Sequence, residues 1–302
     1  MAYLHENRDL FQQVLNQAQN LTGLVPEIIE KDYYVTVILH ELACRLPFIV
    51  FKGGTSLSKC YQVIDRYSED IDITIDTRLT QGQKKTLKAS IEAAATMLGL
   101  SIPNLAETRS RRSYNRYVIQ YTPLYQPTDA AVQARVLLET SFAEVSFPVV
   151  TLPVHSIVGD MLADEAPPLL KQYDLQPFPM KVQSIARTLI DKVFALGDYY
   201  LAQREIDKHS RHLYDIYKLL PLVTLDDNFR QLVRQVRQTR AANAICLSAQ
   251  ADVGVTALLS EIIATDAYKY GYNHLTVRLL AEKVSYEQAI SALRVIADRH
   301  IF

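Results

Sequence analysis

One segment constrains the fold of this chain more than any other, because strand, turn and helix patterns follow one another without a break within residues 47–76. Residues 47–51 are apolar and partly β-branched, which predicts a short buried strand. Gly53 and Gly54 come directly after it and allow a tight turn with close approach of a ligand to the backbone. The segment therefore begins with a predicted strand that ends at a glycine turn.

The residues after the glycines have the pattern of a short helix. Apolar side chains at positions 57, 60, 61 and 64 follow the spacing of one helix face. Thr55 or Ser56 can cap the first turn. The first amides of this helix would point at the glycine turn, which predicts that Gly53, Gly54, Thr55 and Ser56 form a phosphate-binding turn.

An alternating run follows at residues 70–76. In a strand, isoleucines would occupy one face and the other face would hold Asp70, Asp72, Thr74 and Asp76. Carboxylates at positions 70 and 72 would stand roughly 7 Å apart along the strand. Side chains of that length can converge on one or two divalent ions, so Asp70 and Asp72 are predicted metal ligands.

A strand, a Gly-Gly turn, a helix and a strand with Asp-x-Asp are together the signature of the DNA polymerase β-type nucleotidyltransferases. The sequence at residues 52–57 (Lys-Gly-Gly-Thr-Ser-Leu) and 68–72 (Ser-Glu-Asp-Ile-Asp) closely resembles that of the AbiEii/AbiGii toxin-type nucleotidyltransferases of bacterial toxin-antitoxin and phage-defence systems. The resemblance covers about residues 28–220. It implies an α+β fold in which a polymerase β-like mixed sheet with flanking helices precedes an α-helical C-terminal domain.

The bulk composition allows a core of this kind. The chain has 302 residues, 49% of them hydrophobic, which suffices for one large or two modest domains. Residues 148–179 contain several prolines and no clear period, so we place a boundary near residue 180. We expect a nucleotidyltransferase domain with N-terminal helices at 1–180 and a helical domain at 181–302, the latter contributing Lys192 and Asp215 to the site.

Charge and hydropathy limit the partners and the cellular location that can be expected for the protein. A net charge of −1 argues against a protein that coats nucleic acid by bulk electrostatics. No apolar run approaches the ~20 residues that span a bilayer, and residues 1–6 lack the order of a signal peptide. We therefore expect a cytoplasmic protein without a membrane partner.

A third acidic residue completes the predicted metal site. Residues 134–142 have the pattern of a strand that carries Glu139. The fold implied by the resemblance needs a third carboxylate on a neighbouring strand to complete the metal site and help deprotonate the attacking hydroxyl. Glu139 fills that place, with Glu144 as the alternative.

Lys192 has two interpretations. It lies beside the apolar stripe of a predicted helix, where a lysine is more often an ordinary surface charge. In the family that the chain resembles, however, a lysine in this helix and in this context reaches the triphosphate of the nucleotide, and residues 191–196 (Asp-Lys-Val-Phe-Ala-Leu) match. Lys59, on the polar side of the motif helix, is a weaker candidate for the same task.

Arg211 and Asp215 are four residues apart on the next predicted helix and therefore share a face. Relatives commonly have Arg-Asp-x-x-Asp here, which implies that Arg211 binds nucleotide and that Asp215 belongs to the catalytic set. This chain has His212 in place of the first aspartate, and the role of position 212 stays open. A plain ion pair contributing ~0.3–0.5 kcal/mol is the alternative interpretation of Arg211 and Asp215.

Other charged groups also have two interpretations each. Residues 30–33 (Glu-Lys-Asp-Tyr) resemble the opening of the same family, or form a polar helix face. Four arginines could bind phosphate or could lie at a solvated hairpin edge, and the hairpin edge is the favoured interpretation; they are Arg109, Arg111, Arg112 and Arg116. An exposed helix face or a groove for an acidic RNA strand would explain Arg230, Arg234, Arg237 and Arg240.

The main hypothesis for function is metal-dependent nucleotidyl transfer. Asp70, Asp72 and Glu139 would hold Mg²⁺, with Mn²⁺ as the alternative ion, while the glycine turn and Lys192 neutralise the triphosphate of the NTP substrate. The resemblance implies a toxin that modifies an RNA, the tRNA 3′ end in relatives, and that a cognate antitoxin protein restrains. A catalytically inactive nucleotide- or RNA-binding module and a nucleotidyltransferase that modifies protein hydroxyls are the alternatives.

Overall fold

The computed structural model describes residues 2–68, 70–125 and 133–302. Within these residues the chain forms two compact units. The first comprises Met1–Tyr61 and Glu69–Val182, and the second comprises Gln62–Ser68 and Gln183–Phe302. The short segment 62–68 therefore belongs to the second unit, although the residues on both sides of it belong to the first.

Helices and strands alternate in the first unit. Its helices are α1 (Arg8–Thr22), α2 (Pro26–Arg45), α3 (Gly53–Lys59), α4 (Gln81–Met97), α5 (Ile157–Glu165) and α6 (Pro167–Gln172). Its strands are β1 (Ile49–Lys52), β2 (Ile71–Ile75), β3 (Tyr114–Gln120), β4 (Arg135–Val145), β5 (Val149–Val154) and β6 (Phe178–Gln183).

The strands form one mixed sheet in the order β3-β4-β2-β1-β6-β5. β1 is antiparallel to β2 and parallel to β6, whereas β4 is parallel to β2 and antiparallel to β3. Flanking helices and a mixed sheet confirm the predicted α+β fold class.

Alternation in the strands separates the two faces of the sheet. Ile71, Ile73 and Ile75 are buried as predicted, together with Leu138 of β4 and Tyr117 of β3. α2 contacts α4 and β4 over this buried face. Since successive side chains of a strand point to opposite faces, Asp72 and its neighbours across the sheet lie on the other face.

Charged side chains of α2 are buried, so the polar-face interpretation of residues 30–33 is wrong. Glu30 accepts a hydrogen bond of 2.8 Å from the backbone nitrogen of Leu124, and burial raises the pKa of its carboxyl to about 6. Lys31 is buried as well. Asp32 accepts a hydrogen bond of 2.9 Å from the backbone nitrogen of Ile157 and pairs with Lys59.

The stretch at 148–179 is ordered into two strands and two helices, although its sequence shows no clear period. Pro167 occupies the first turn of α6, where the missing N–H costs nothing. β6 pairs with β1 through Val182 and so extends the sheet on the side of β1 away from β2. These elements are short, which is why periodicity does not reveal them.

The second unit is mainly helical. It contains α7 (Ile185–Ala202), α8 (Ile206–His209), α9 (Arg211–Leu219), α10 (Asp227–Ala241), α11 (Val255–Ala264), α12 (Lys269–His274) and α13 (Tyr286–Asp298). Short 3-10 helices in the two units are Leu4–Glu6, Leu105–Glu107, Leu220–Leu222, Leu247–Ala249 and Thr276–Leu279. In the described part of the chain, every helix is too short or too polar to cross a bilayer.

We expect that Lys59→Met destabilises the first unit strongly. The ammonium of Lys59 lies 2.5 Å from the Asp32 carboxylate and 2.7 Å from the Thr36 hydroxyl, and the side chain is almost fully buried. Removing one partner of such a pair costs about 3 kcal/mol in the free energy of unfolding, because the other charge stays buried. Urea unfolding measures the change.

Lys85→Met is the matched control, because Lys85 is an exposed lysine of the same unit. Its expected change is within about 0.5 kcal/mol. Equal unfolding free energies for the two variants would show that the Lys59–Asp32 pair does not stabilise the fold.

Candidate active site

The glycine turn and the Asp-x-Asp strand are in contact. Gly53 directly follows β1 and has φ +79°, in the left-handed region that favours glycine. A Cβ atom at this position would overlap the carboxylate of Asp72. Both the backbone conformation and the lack of space therefore require glycine, and the structure brings Gly53 and Asp72 together.

The start and the end of α3 differ from the sequence prediction. α3 begins at the glycines, and among the described residues no side chain caps its first turn, so Thr55 and Ser56 are not caps. The hydroxyl of Ser56 instead donates to the carbonyl oxygen of Gly53 at 2.8 Å. The helix ends at Lys59, so Ile64 is not part of its apolar face. Since the side chains of Thr55 and Ser56 are buried, any contact with phosphate from this turn would come from backbone amides.

A row of four charged residues crosses the sheet on the face opposite the isoleucines. Asp72 of β2 is the register partner of Lys52 on β1 and of Glu139 on β4. Glu139 is in turn the register partner of Arg116 on β3. Residues directly opposite one another share a face, so this row places two carboxylates side by side between two cations.

Glu139 rather than Glu144 occupies the position beside Asp72. The pairing of β2 with β4 shifts between Ile73 and Ile75, and Glu144 lies beyond that irregularity. The Arg116 guanidinium donates to the Glu139 carboxylate at 2.8 Å. Arg116 also lies on the edge strand β3 and is exposed, as the hairpin-edge interpretation predicts. Its ion pair with Glu139 was not predicted.

The acidic residues have the right chemistry for Mg²⁺, which prefers carboxylate oxygens. Asp70 is half-buried and immediately precedes β2, and Glu69 of the same motif lies outside the described residues. Within residues 2–68, 70–125 and 133–302, no three His, Cys, Asp or Glu side chains are grouped closely enough to hold a metal ion. In this structure the carboxylate of Glu139 is directed to Arg116 instead. The donor types fit a magnesium site, and Asp72 and Glu139 are aligned for it.

The second unit contains a buried cluster around Asp215, whose side chain is 0% exposed. Its carboxylate oxygens lie 2.6 and 2.9 Å from the Arg66 guanidinium, a two-point contact. The Lys192 ammonium lies 2.6 Å from the same carboxylate, and Nδ1 of His212 lies 3.4 Å from that ammonium. Lys192 is therefore not an ordinary surface lysine.

The protonation states of this cluster follow from its burial and its charges. Burial disfavours the ionised form of Asp215, but Arg66 and Lys192 outweigh it and hold the pKa of Asp215 well below its usual value. Burial lowers the pKa of Lys192, while Asp215 acts in the opposite direction. Burial and the Lys192 charge lower the pKa of His212 well below its usual value, so His212 is neutral. With one carboxylate, two cations and a neutral imidazole, the cluster carries a net positive charge.

Two predicted nucleotide-binding residues have different surroundings from those expected. Among the described residues, Arg211 is not an ion-pair partner of Asp215, so the interpretation of these two residues as a plain ion pair is wrong. The Lys59 ammonium is occupied by Asp32, Thr36 and two backbone carbonyls. The structure does not bring Lys59 into the site, because its contacts hold α3 to α2.

Most of the arginine stripe on α10 binds the protein itself. The Arg237 guanidinium donates to three backbone carbonyls, and Arg230 donates to two carbonyls near the C-terminal end of α13. Arg240 pairs with Asp198 at 2.6 Å and with Asp191 at 3.4 Å. Arg234 alone among the four is exposed. The interpretation of this stripe as an exposed helix face is therefore wrong for Arg230, Arg237 and Arg240.

The sequence interpretation did not assign Arg66 or Lys52 to the site, and for Arg116 it favoured a hairpin edge over a phosphate contact. Arg66 and Asp215 are 149 positions apart, so no local pattern connects them. Lys52 offered a signal, since it closes the strand before the glycines, but its alignment with Asp72 depends on strand register.

Comparison with solved structures first gives the class of fold. The chain shares its fold with MenT4, a nucleotidyltransferase toxin from Mycobacterium tuberculosis H37Rv, with a TM-score of 0.57 and 16% sequence identity. The match covers 96% of this chain and 89% of MenT4. A search among curated proteins found no match.

The family model described as "Nucleotidyl transferase AbiEii toxin, Type IV TA system" matches residues 40–288. The chain therefore belongs to this family, which confirms the resemblance seen in the sequence. It is a nucleotidyltransferase and the toxin of a type IV toxin-antitoxin system. The family also implies an antitoxin partner and a nucleoside triphosphate substrate.

We expect that Asp215→Asn destabilises the second unit by about 3–5 kcal/mol, because the Arg66 and Lys192 charges would stay buried without a carboxylate. Chemical denaturation near pH 7 measures this loss. The wild-type contribution is complete above the ordinary aspartate pKa of ~4 and is lost as the pH falls through the depressed pKa.

Asp207→Asn is the control, because Asp207 is exposed in the same unit. It should change the unfolding free energy by less than about 0.5 kcal/mol. A comparably small change for Asp215→Asn would contradict the proposed balance of buried charge.

Proposed function

We propose that this toxin transfers a nucleoside monophosphate from a nucleoside triphosphate to an RNA acceptor, the tRNA 3′ end, in a reaction that depends on Mg²⁺ or Mn²⁺. The observation that carries the proposal is the alignment of Asp72 and Glu139 on adjacent strands, with Asp72 against the glycine turn. We place the reaction in the cytoplasm and assign restraint of the toxin to a cognate antitoxin protein.

Asp70, Asp72 and Glu139 would hold the metal. When bound, the ion supplies charge stabilisation for the attacking and leaving oxygens of an in-line displacement. Because Gly53 has no side chain, the Asp72 carboxylate can lie directly against the turn. Glu139 is held beside Asp72 by strand register and accepts a hydrogen bond from Arg116.

The triphosphate would be neutralised by backbone amides of Gly53, Gly54, Thr55 and Ser56 and by Lys192. Arg211, the first residue of α9, remains a proposed contact for the nucleotide on the ground of the family resemblance. The net positive charge around Lys192 suits an anionic ligand. We assign these contributions of the helical part, residues 181–302, to the same site as the strands of residues 1–180.

Asp215 takes a different role in the proposal from the one its motif implied. A carboxylate with 0% exposure that already contacts Arg66 and Lys192 does not touch substrate in this arrangement. It would instead hold the Lys192 ammonium in one position and keep it charged. Asp215 is therefore proposed as a positioning residue.

The identity of the acceptor rests on the family resemblance. The arginine stripe on α10 no longer favours RNA, because three of its four side chains bind carbonyls or carboxylates of the protein. Incubation with each labelled NTP, total RNA and a protein extract, in the presence of Mg²⁺, identifies donor and acceptor in one assay. Label in protein instead of RNA would contradict the proposed acceptor but not the enzyme class.

We expect that Asp72→Asn reduces transfer of label by at least about 10³-fold, because the variant lacks a charged metal ligand. Circular dichroism and thermal unfolding should match the wild type, since Asn is isosteric with Asp. Cells that express the variant should grow without arrest.

Asp76→Asn is the matched control. Asp76 directly follows the same strand, and its carboxylate pairs with Lys181 rather than with the proposed site. Transfer by this variant should stay within about twofold of the wild type, the range expected for a change outside the site. Undiminished transfer by Asp72→Asn would refute the assignment of the metal site.

A further inference from the structure

The segment that leads into the proposed metal ligands is held by the helical unit. Residues 62–68 connect α3 to β2 in the sequence, but they pack with residues 183–302. Asp70 follows closely behind this segment. The backbone that precedes Asp70 and Asp72 is therefore fixed by contacts far away in the sequence.

Backbone hydrogen bonds hold the centre of the segment. The nitrogen of Tyr67 donates to the carbonyl of Leu279 at 2.9 Å, and the nitrogen of Ala281 donates to the carbonyl of Asp65 at 2.8 Å. Arg66 and Leu280 form an antiparallel bridge between these two bonds. Three consecutive residues of the segment thus pair with a strand-like partner.

The side chain of Arg66 adds a buried clamp to this pairing. Its guanidinium makes the two-point contact with Asp215, and both side chains are 2% exposed or less. The same carboxylate holds the ammonium of Lys192. A guanidinium is suited to such a contact because its planar donors match both carboxylate oxygens, which a lysine ammonium cannot do.

We propose that Arg66 is a positioning residue for nucleotidyl transfer, because it fixes the segment before Asp70 to the carboxylate that also holds Lys192. The inference rests on the proposed function, which assigns metal binding to Asp70 and Asp72 and triphosphate binding to Lys192. The Asp215 carboxylate then contacts both Arg66, which shortly precedes Asp70 in the sequence, and Lys192, the proposed triphosphate ligand. A displacement of about 1 Å in such a group can cost on the order of 10²-fold in rate.

The test uses the full chain in three variants: Arg66→Gln, Arg66→Lys and the control Lys218→Gln. Lys218 also binds the segment, through the Asp65 carboxylate at 3.1 Å, but this pair is partly exposed. Hydrogen exchange with mass spectrometry follows the amides of residues 62–68, and steady-state kinetics give kcat and the KM for the NTP. Circular dichroism checks that each variant is folded.

Arg66→Gln should raise the exchange rate at residues 65–67 by about tenfold or more, since the segment opens locally more often. Its kcat should fall by about 10²-fold, while the KM for the NTP changes by less than about threefold because Asp215 still holds Lys192. Arg66→Lys should recover part of both losses, since it restores the charge but not the two-point contact. Lys218→Gln should resemble the wild type in both measurements.

Several outcomes would overturn the proposal. Unchanged exchange in Arg66→Gln would show that Arg66 does not hold the segment, whatever the activity. Faster exchange with an unchanged kcat would refute the positioning role. Unfolding of both Arg66 variants would make Arg66 a requirement of the fold and not of the reaction. If the wild type transfers nothing to any acceptor, the proposed function fails and the positioning role with it, while the exchange data separately establish whether the clamp exists.

Discussion

The carboxylate of Asp215 is the group on which the polar interior of the helical unit depends. Arg66 and Lys192 are both buried, and an unpaired buried cation costs several kcal/mol. Asp215 contacts both cations, so a single side chain satisfies residues from two separate parts of the chain. The neutral His212 leaves the cluster one positive charge in excess.

In the first unit, too, a buried charge is paired with an opposite charge. The buried Lys59 of this unit pairs with Asp32 and binds Thr36 and two backbone carbonyls, so it stabilises the scaffold. The sheet face opposite the isoleucines instead carries a row in which Asp72 and Glu139 stand between Lys52 and Arg116. Lys59 is therefore a buried charge that stabilises the fold, whereas the four residues of this row are partly or fully exposed.

The sequence predicted those elements whose signals are local. The apolar run, the glycines and the isoleucine alternation identified β1, the turn and β2, because strand periodicity and glycine conformation act within a few residues. The end of α3 and the elements between 149 and 183 were not predicted, since short segments carry too little periodicity. The α10 arginines show another limit: helical spacing tells which side chains share a face but not what covers that face. Arg66 was not identified although the motif at residues 68–72 follows it closely, because its partner Asp215 is 149 positions away in the sequence.

The threading of the chain has a consequence for how such toxins can diversify. The polypeptide enters the helical unit at residue 62, leaves it after residue 68 and returns at residue 183. A genetic crossover near residue 182 would join the Arg66 segment of one parent to the Asp215 cluster of another, and a mismatched pair would leave a charge buried alone. The helical part is therefore inherited together with a short piece of the catalytic half, and exchange at a single junction does not transfer it intact.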